Sequence, residues 1–233
     1  MTDFEAFKTH ALKVFPSLDE ERLSRFEAMG QIYRDWNDKI NVISRKDMDA
    51  FYFHHVLHSL ALARCFDREG ISPDEDFSIL DLGTGGGFPG VPLAVMYPKW
   101  HFTLCDSIAK KTLVASQAAK ALGLSNVEVV TARAESLTGN YDFVVSRAVA
   151  SLDKLCAWIW PRLGGSLFCL KGGDLAQEIS DLVRLRHIPA GKISVWKPDC
   201  FPADEYFDEK FVIKVEKNYL CSPIREKYKN IIK

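Results

Sequence analysis

From Ser78 onward the chain alternates. Short runs rich in β-branched and aromatic residues (SILDLG, WHFTLCD, NVEVVTA, YDFVVSR, GSLFCLKG) are separated by helical segments such as SIAKKTLVASQAAKALG and SLDKLCAWIWPRL. Strands joined through helices run parallel, and a parallel sheet needs helices on both faces to bury it. The last two runs, KISVWK and KFVIKVEK, are linked by PDCFPADEYFDE, which holds Pro and Asp but no helix to cross over. They should pair antiparallel at the sheet edge. The pattern predicts an α/β fold: a doubly wound, mostly parallel seven-stranded sheet with a terminal antiparallel strand pair.

The first 70 residues have a different texture. Ser17 and Glu20 have capping-box spacing, which predicts a helix start there. Leu23, Phe26, Met29, Ile32, Tyr33, Trp36 and Ile40 follow at helical spacing. From Asp47 a second helix is apolar nearly all round (Phe51, Tyr52, Val56, Leu57, Leu60, Leu62), as a helix between two layers must be. We expect a helical cap over 1–70 and a sheet domain over 71–233 that ends in a short basic tail.

Composition narrows the function. The 30 Lys and Arg balance 31 Asp and Glu, a net charge of −1, so a polyanion can be held only by a local patch. No apolar run is long enough for a membrane span, and MTDFEAFKTH has no apolar core of a secretory leader. The six cysteines are scattered without a C-x-x-C pair, which fits a reducing cytoplasmic setting without structural zinc.

Ile79 to Pro92, ILDLGTGGGFPGVP, carries the most chemistry. Glycines after a strand let backbone approach a ligand, and the following helix start offers free N–H groups. Gly85, Gly87 and Gly90 fit the dinucleotide pattern G-x-G-x-x-G. Asp81, Gly83, Gly85 and Gly87 fit the D-x-G-x-G-x-G pattern of S-adenosylmethionine (SAM) sites equally well. Three features favour SAM: an acidic residue placed to accept from the ligand's ammonium, Pro89 crowding a pyrophosphate site, and the closing antiparallel pair. The sheet is thus expected to be the Rossmann-like one of class I SAM-dependent methyltransferases. Asp106, 23 residues after Gly83, suits ribose hydroxyls under either reading. Glu135 follows the third strand, and Arg147 ends the fourth, where it should face the crevice.

Together these residues resemble a known family, the small-subunit ribosomal RNA methyltransferases G (RsmG, also called GidB). DWNDKINVIS resembles its W-N-x-x-x-N-L-T signature and HHVLHSL its H-x-x-D-S motif, while DLGTGGGFPGVPLAV, HFTLCDSIAKK, ARAESL, VVSRAVASL and LKGG line up in order. The resemblance implies methyl transfer from SAM to guanine N7 in 16S rRNA, in the loop near the decoding centre, leaving S-adenosylhomocysteine. It places cofactor contacts on Gly83, Phe88, Ala134, Glu135 and Arg147, with Gly85 and Asp106 as neighbours. Three departures stand out. His58 replaces the family's usual Asp, Gly86 its usual Pro or Ala, and the tail lacks the Tyr-Pro-Arg run.

The chemistry agrees. Methylation of an exocyclic amine uses a D/N-P-P-Y-type motif after the fourth strand, where this chain has Ser146-Arg147-Ala148. Methylation of a pyrimidine carbon uses a Pro-Cys or Thr-Cys nucleophile, which no cysteine here provides. Guanine N7 needs neither, so orientation can supply the acceleration, with Arg147 an orienting group and no base assigned. Lys110, Lys111, Arg133 and Lys171 fall near strand ends on the ligand side and are candidates for RNA phosphates. The tail residues Arg225, Lys227, Lys229 and Lys233 against Glu226 give a local +3, a second candidate. His54, His55 and His58 read as packed or hydrogen-bonded histidines rather than metal ligands. A monomer is the default for such a domain. A small-molecule methyltransferase, an RNA-binding module with a decayed cofactor site and an NAD-dependent reductase remain the alternatives.

Overall fold

The computed structural model describes residues 2–217. The basic tail and Cys221 lie outside them. Helices α1 (Asp3–Val14), α2 (Glu20–Asn37) and α3 (Arg45–Met48) lead into a π-helical turn, Tyr52–Leu57, that continues as α4 (His58–Arg68). Then come β1 (Ser78–Leu82), α5 (Gly90–Met96), β2 (His101–Asp106), α6 (Ala109–Ala121), β3 (Val127–Thr131) and β4 (Tyr141–Arg147). The chain continues through α7 (Leu152–Ile159), β5 (Leu163–Gly172), α8 (Ala176–Arg186), β6 (Ile193–Trp196) and β7 (Lys210–Glu216).

The seven strands form one sheet in the order β3-β2-β1-β4-β5-β7-β6. β1 to β5 are parallel, with Leu80 opposite Thr103 on one side and Val144 on the other. β7 runs antiparallel to both β5 and β6, as a helix-free connection requires. The antiparallel pair is closed by the last strand entering between β5 and β6, which leaves the short β6 at the edge.

Strand periodicity sorts the interior into two layers. Ile79, Phe143, Val145, Phe168 and Leu170 face one cluster, while Leu80, Val144, Leu167 and Cys169 face the other. The first cluster also holds Phe7 of α1, Phe26 and Tyr33 of α2, Phe51, and Phe66 of α4. Leu152 and Leu155 of α7 and Leu182 of α8 cover the opposite face. The helices before residue 70 and the sheet after it therefore share a single apolar layer.

The cap of α2 differs from the expected capping box. Asp19, not Ser17, accepts from the Arg22 amide at 2.8 Å and pairs with its guanidinium. Leu18 is buried, so the chain seats that side chain before the helix begins, and the next acceptor, Asp19, takes the cap.

Because burial of each large side chain is worth about 1.5–3 kcal/mol, the shared layer makes the helices necessary for the sheet. A fragment of residues 71–233 is expected to lack a sharp thermal transition by circular dichroism. A cooperative melt close to that of the whole chain would show the sheet to be independently stable.

Candidate functional site

The strand order reverses between β1 and β4, whose following helices cover opposite faces. Such a switch point opens a crevice at the carboxyl ends of the strands. Here the crevice is a cavity of about 490 Å³, within the range of small-molecule sites. Gly83, Gly85, Phe88, Asp106, Ala134, Glu135 and Arg147 all line it.

The glycine loop forms one wall. The amides of Gly83 and Thr84 both donate to the Cys105 carbonyl, at 2.7 and 3.0 Å, which ties the loop to the end of β2. Gly83, Gly85 and Gly87 have φ of 70°, 58° and 111°, in the region that L side chains avoid. Their surroundings differ. A side chain on Gly83 would strike Val149, and one on Gly87 would strike Val91 and the Tyr33 hydroxyl. A Cβ on Gly85 would meet nothing within 4 Å and would project into open space. Bare backbone thus faces open space at Gly85, whereas Gly83 is bare because Val149 packs on it. Asp106 accepts from the Gly85 amide at 3.0 Å and the Ile108 amide at 2.9 Å, holding loop and helix start together beside the cavity.

Asp81, expected from sequence to face a ligand ammonium, is instead fully buried and absent from the cavity wall. Its Oδ2 accepts from the Thr84 hydroxyl at 2.5 Å and the Gly90 amide at 2.8 Å, closing the strand-turn-helix unit from below. Oδ1 has no partner, and burial pushes the carboxyl up to about 7.

The amino-terminal helices brace the loop from outside. The Tyr33 hydroxyl donates to the Gly86 carbonyl at 2.8 Å. Asn37 accepts from the amides of Val42 and Ile43 and donates to the Ile43 carbonyl, folding that segment back so that Val42 lies against Gly86. A Cβ at Gly86 would stand 3.0 Å from Val42, which explains glycine at this departure from the family pattern. Tyr33 reads in the sequence as one more member of an apolar stripe. The signal available was its hydroxyl, which must find a partner once buried.

Arg147 enters the cavity wall from the end of β4. Its guanidinium lies over the Phe88 ring at 5.2 Å and donates to the His54 carbonyl at 3.3 Å and to His55 Nδ1 at 3.1 Å. Burial lowers its pKa. Burial, with the Arg147 charge second, pushes His55 down to about 3, so the ring is neutral. Burial also holds His58 far below the ordinary range, and its Nδ1 meets the Tyr206 hydroxyl at 3.1 Å. His58 thus fills the family's acidic position as a neutral, packed residue. Among the described residues no cluster of three or more metal-ligating side chains forms.

The basic residues divide. Lys111 and Arg133 line the cavity, and Lys110 is exposed on the adjoining turn of α6. Lys171 is corrected. Its ammonium donates to the Ala150 carbonyl at 2.5 Å and to Glu178 at 2.7 Å, and Glu178 also accepts from the Leu152 amide. Lys171 is therefore largely buried and anchors the loop after β4 instead of meeting phosphate. The sequence reading also missed the apolar mouth. Val42, Ile108, Val149 and Trp158 line the cavity, and Ile108 and Val149 remain 47% and 39% exposed.

A model of the family described as rRNA small subunit methyltransferase G matches residues 22–191. The ribosomal RNA small subunit methyltransferase G of Christiangramia forsetii is 42% identical over 207 residues, 85% of this chain and 90% of that protein. The Porphyromonas gingivalis protein of the same name is 51% identical over 176 residues, 72% and 77% of the two chains. Among solved structures, magnesium protoporphyrin IX methyltransferase from Synechocystis, with bound SAM, superposes with a TM-score of 0.56 at 14% identity. That match covers 86% of this chain and 99% of the other. A human methyltransferase 10 domain containing protein gives 0.52 at 16% identity, over 68% and 81%. At such identities the structures show the fold alone, the class I methyltransferase sheet.

The Asp81 carboxyl gives a pH test. Its folded pKa of about 7 exceeds the ordinary value of 3.8, so the folded state holds the proton more tightly. Its contribution to stability is full below pH 3.8, declines as pH rises, and is gone above about 7. Asp81→Asn keeps an acceptor for Thr84 and Gly90 without a titrating group. Urea unfolding between pH 5 and 8 is expected to show a flatter stability profile in the variant, the difference approaching ~1.4 kcal/mol per pH unit. Parallel profiles for the two proteins would contradict the assignment.

Proposed function

The chain belongs to the rRNA small subunit methyltransferase G family, and we propose that its cavity holds SAM for transfer of a methyl group to N7 of a guanine in 16S rRNA. The observation that carries this reading is a cavity combining uncovered glycine backbone at Gly85 with acceptors at Asp106 and Glu135 and a cation at Arg147. The fit is chemical. Asp106 and Glu135 suit ribose hydroxyls and an amine, Ala134 borders the adenine position, and Arg147 answers the amino-acid carboxylate. Gly83, Gly85 and Phe88 set the shape of the wall.

When bound, SAM supplies an electrophilic methyl group on a sulfonium. The acceptor, guanine N7, would present a lone pair already free in the plane of the base. No proton leaves, so no base is required. Burial pushes Cys105, among the cavity-lining residues described, up to about 11, too high for a thiolate nucleophile. The protein's task is to hold two ligands in line, which can supply most of the acceleration. The apolar mouth at Ile108, Val149 and Trp158 offers an extruded base a surface to pack on. Lys110, Lys111 and Arg133 at its rim suit the flanking phosphates. With near-zero net charge, docking depends on this rim.

The direct test is transfer of label from radioactive SAM to small subunits from cells lacking the gene, with the product nucleoside identified by mass. We expect 7-methylguanosine at a single 16S rRNA position. Intact SAM binding without label on subunits or free 16S rRNA would favour a small-molecule substrate.

Two variants separate cofactor from RNA. Gly85→Ala places a methyl group in the cavity and strains a left-handed residue. It should weaken SAM binding by about tenfold or more in calorimetry while lowering stability by only ~1 kcal/mol. Lys110→Glu should leave SAM affinity within about twofold, reduce kcat/KM for subunits, and flatten the salt dependence of RNA binding by about one phosphate contact. Loss of both affinities together in Lys110→Glu would point to a folding defect.

A further inference from the structure

A guanidinium in a cofactor wall is useful only if its direction is set, and Arg147 lacks the usual means. Among the described residues no carboxylate lies within ion-pair distance of it. What holds it is the π-helical turn Tyr52–Leu57, placed where α4 begins. A π turn inserts one residue and redirects the helix's hydrogen bonds, a feature frequently found at functional sites. Here the His58 amide bonds to the carbonyls of Phe53 and His55, not to that of His54 as a regular turn would have it. The His54 carbonyl instead accepts from two side chains, Arg147 at 3.3 Å and the Tyr206 hydroxyl at 3.2 Å.

The same turn brings His55 under Arg147. A guanidinium can only donate, so the 3.1 Å contact requires an unprotonated Nδ1 and puts the ring proton on Nε2. That Nε2 is buried and without a partner. The ring forms a three-ring cluster with Phe51 and Phe88, whose centroids lie 6.1 and 5.3 Å from it. His55 does not line the cavity. An unsatisfied donor and a π turn are both costs to stability. The contact they leave in place is the acceptor pair facing Arg147.

We propose that His55 is a positioning residue: its Nδ1 and the neighbouring His54 carbonyl fix the Arg147 guanidinium against Phe88, presenting a pre-oriented cation to the cofactor's carboxylate. The proposal rests on the reading of the cavity as a SAM site. It concerns geometry and not proton transfer, since a neutral ring that accepts from arginine has no task in moving a proton. It also explains why histidine suits this place. The acceptor must sit two bonds beyond Cβ, be uncharged in its resting form, and stand on a flat body that packs against two aromatic rings.

The test compares amides that place their oxygen at different reach. In His55→Asn the amide oxygen can take the place of Nδ1, while in His55→Gln it lies one carbon further out. With full-length protein, S-adenosylhomocysteine affinity is measured by calorimetry, kcat and KM for SAM on small subunits by label transfer, and melting temperature in parallel. His55→Gln should weaken S-adenosylhomocysteine binding about tenfold and raise KM for SAM by a similar factor, with kcat changed far less. His55→Asn should restore affinity to within about threefold of wild type, whatever the two melting temperatures are. Equal losses in both variants, or losses that track melting temperature, would reduce His55 to packing and overturn the proposal. Wild-type affinity in His55→Gln would overturn it too, leaving the cofactor reading intact. A wild-type protein that binds no S-adenosylhomocysteine would overturn the cofactor reading and this inference together.

Discussion

The site depends on one buried carboxyl. Asp81 joins the end of a central strand, the turn after it and the first amide of the next helix through a single oxygen. The clamp closes the two ends of the glycine loop on each other, while the Cys105 carbonyl, Asp106 and Tyr33 hold the glycines between them. The cost is a desolvated acid with one oxygen unsatisfied, which is why its protonation reaches toward neutral pH. A residue type expected at a ligand is thus turned inward, where it fixes the cavity wall.

The clamp works from below, and the amino-terminal helices work from outside. Tyr33 and Val42 press on Gly86, and Phe88 sits among Tyr33, Phe51, His55 and Arg147. Phe88 lines the cavity while its surroundings belong to helices that precede the sheet in sequence. The helical segment is therefore part of the site's architecture. On the other flank Lys171 and Glu178 hold the loop that carries Val149 over Gly83. Both walls are braced by hydrogen bonds made within the protein, from Tyr33 on one side and from Lys171 and Glu178 on the other.

Much of this was legible from pattern. Seven strands, their parallel run and the closing antiparallel pair follow from helix-bearing and helix-free connections, a matter of chain length and local periodicity. The glycine spacing located the cavity, because a left-handed backbone has few substitutes. What misled was chemistry judged by residue type alone. A carboxylate beside a glycine loop and a lysine at a strand end both suggest ligands. Yet Asp81 faces the helix start and Lys171 finds Glu178, partners assigned by strand face and helix packing. Ser17 lost the helix cap to Asp19 for a similar reason, the burial of Leu18.

Sequence by itself determined the elements, the class of sheet, the position of the loop and the lack of a base motif after the fourth strand. These are local properties, carried by periodicity and by which residues tolerate which backbone. Tertiary structure decided which glycine is open to the cavity, which charges are already paired, and how a π turn some ninety positions earlier in the chain seats Arg147. Those outcomes depend on which neighbour arrives across the fold, and a one-dimensional pattern does not encode the direction of a side chain until its neighbours are in place.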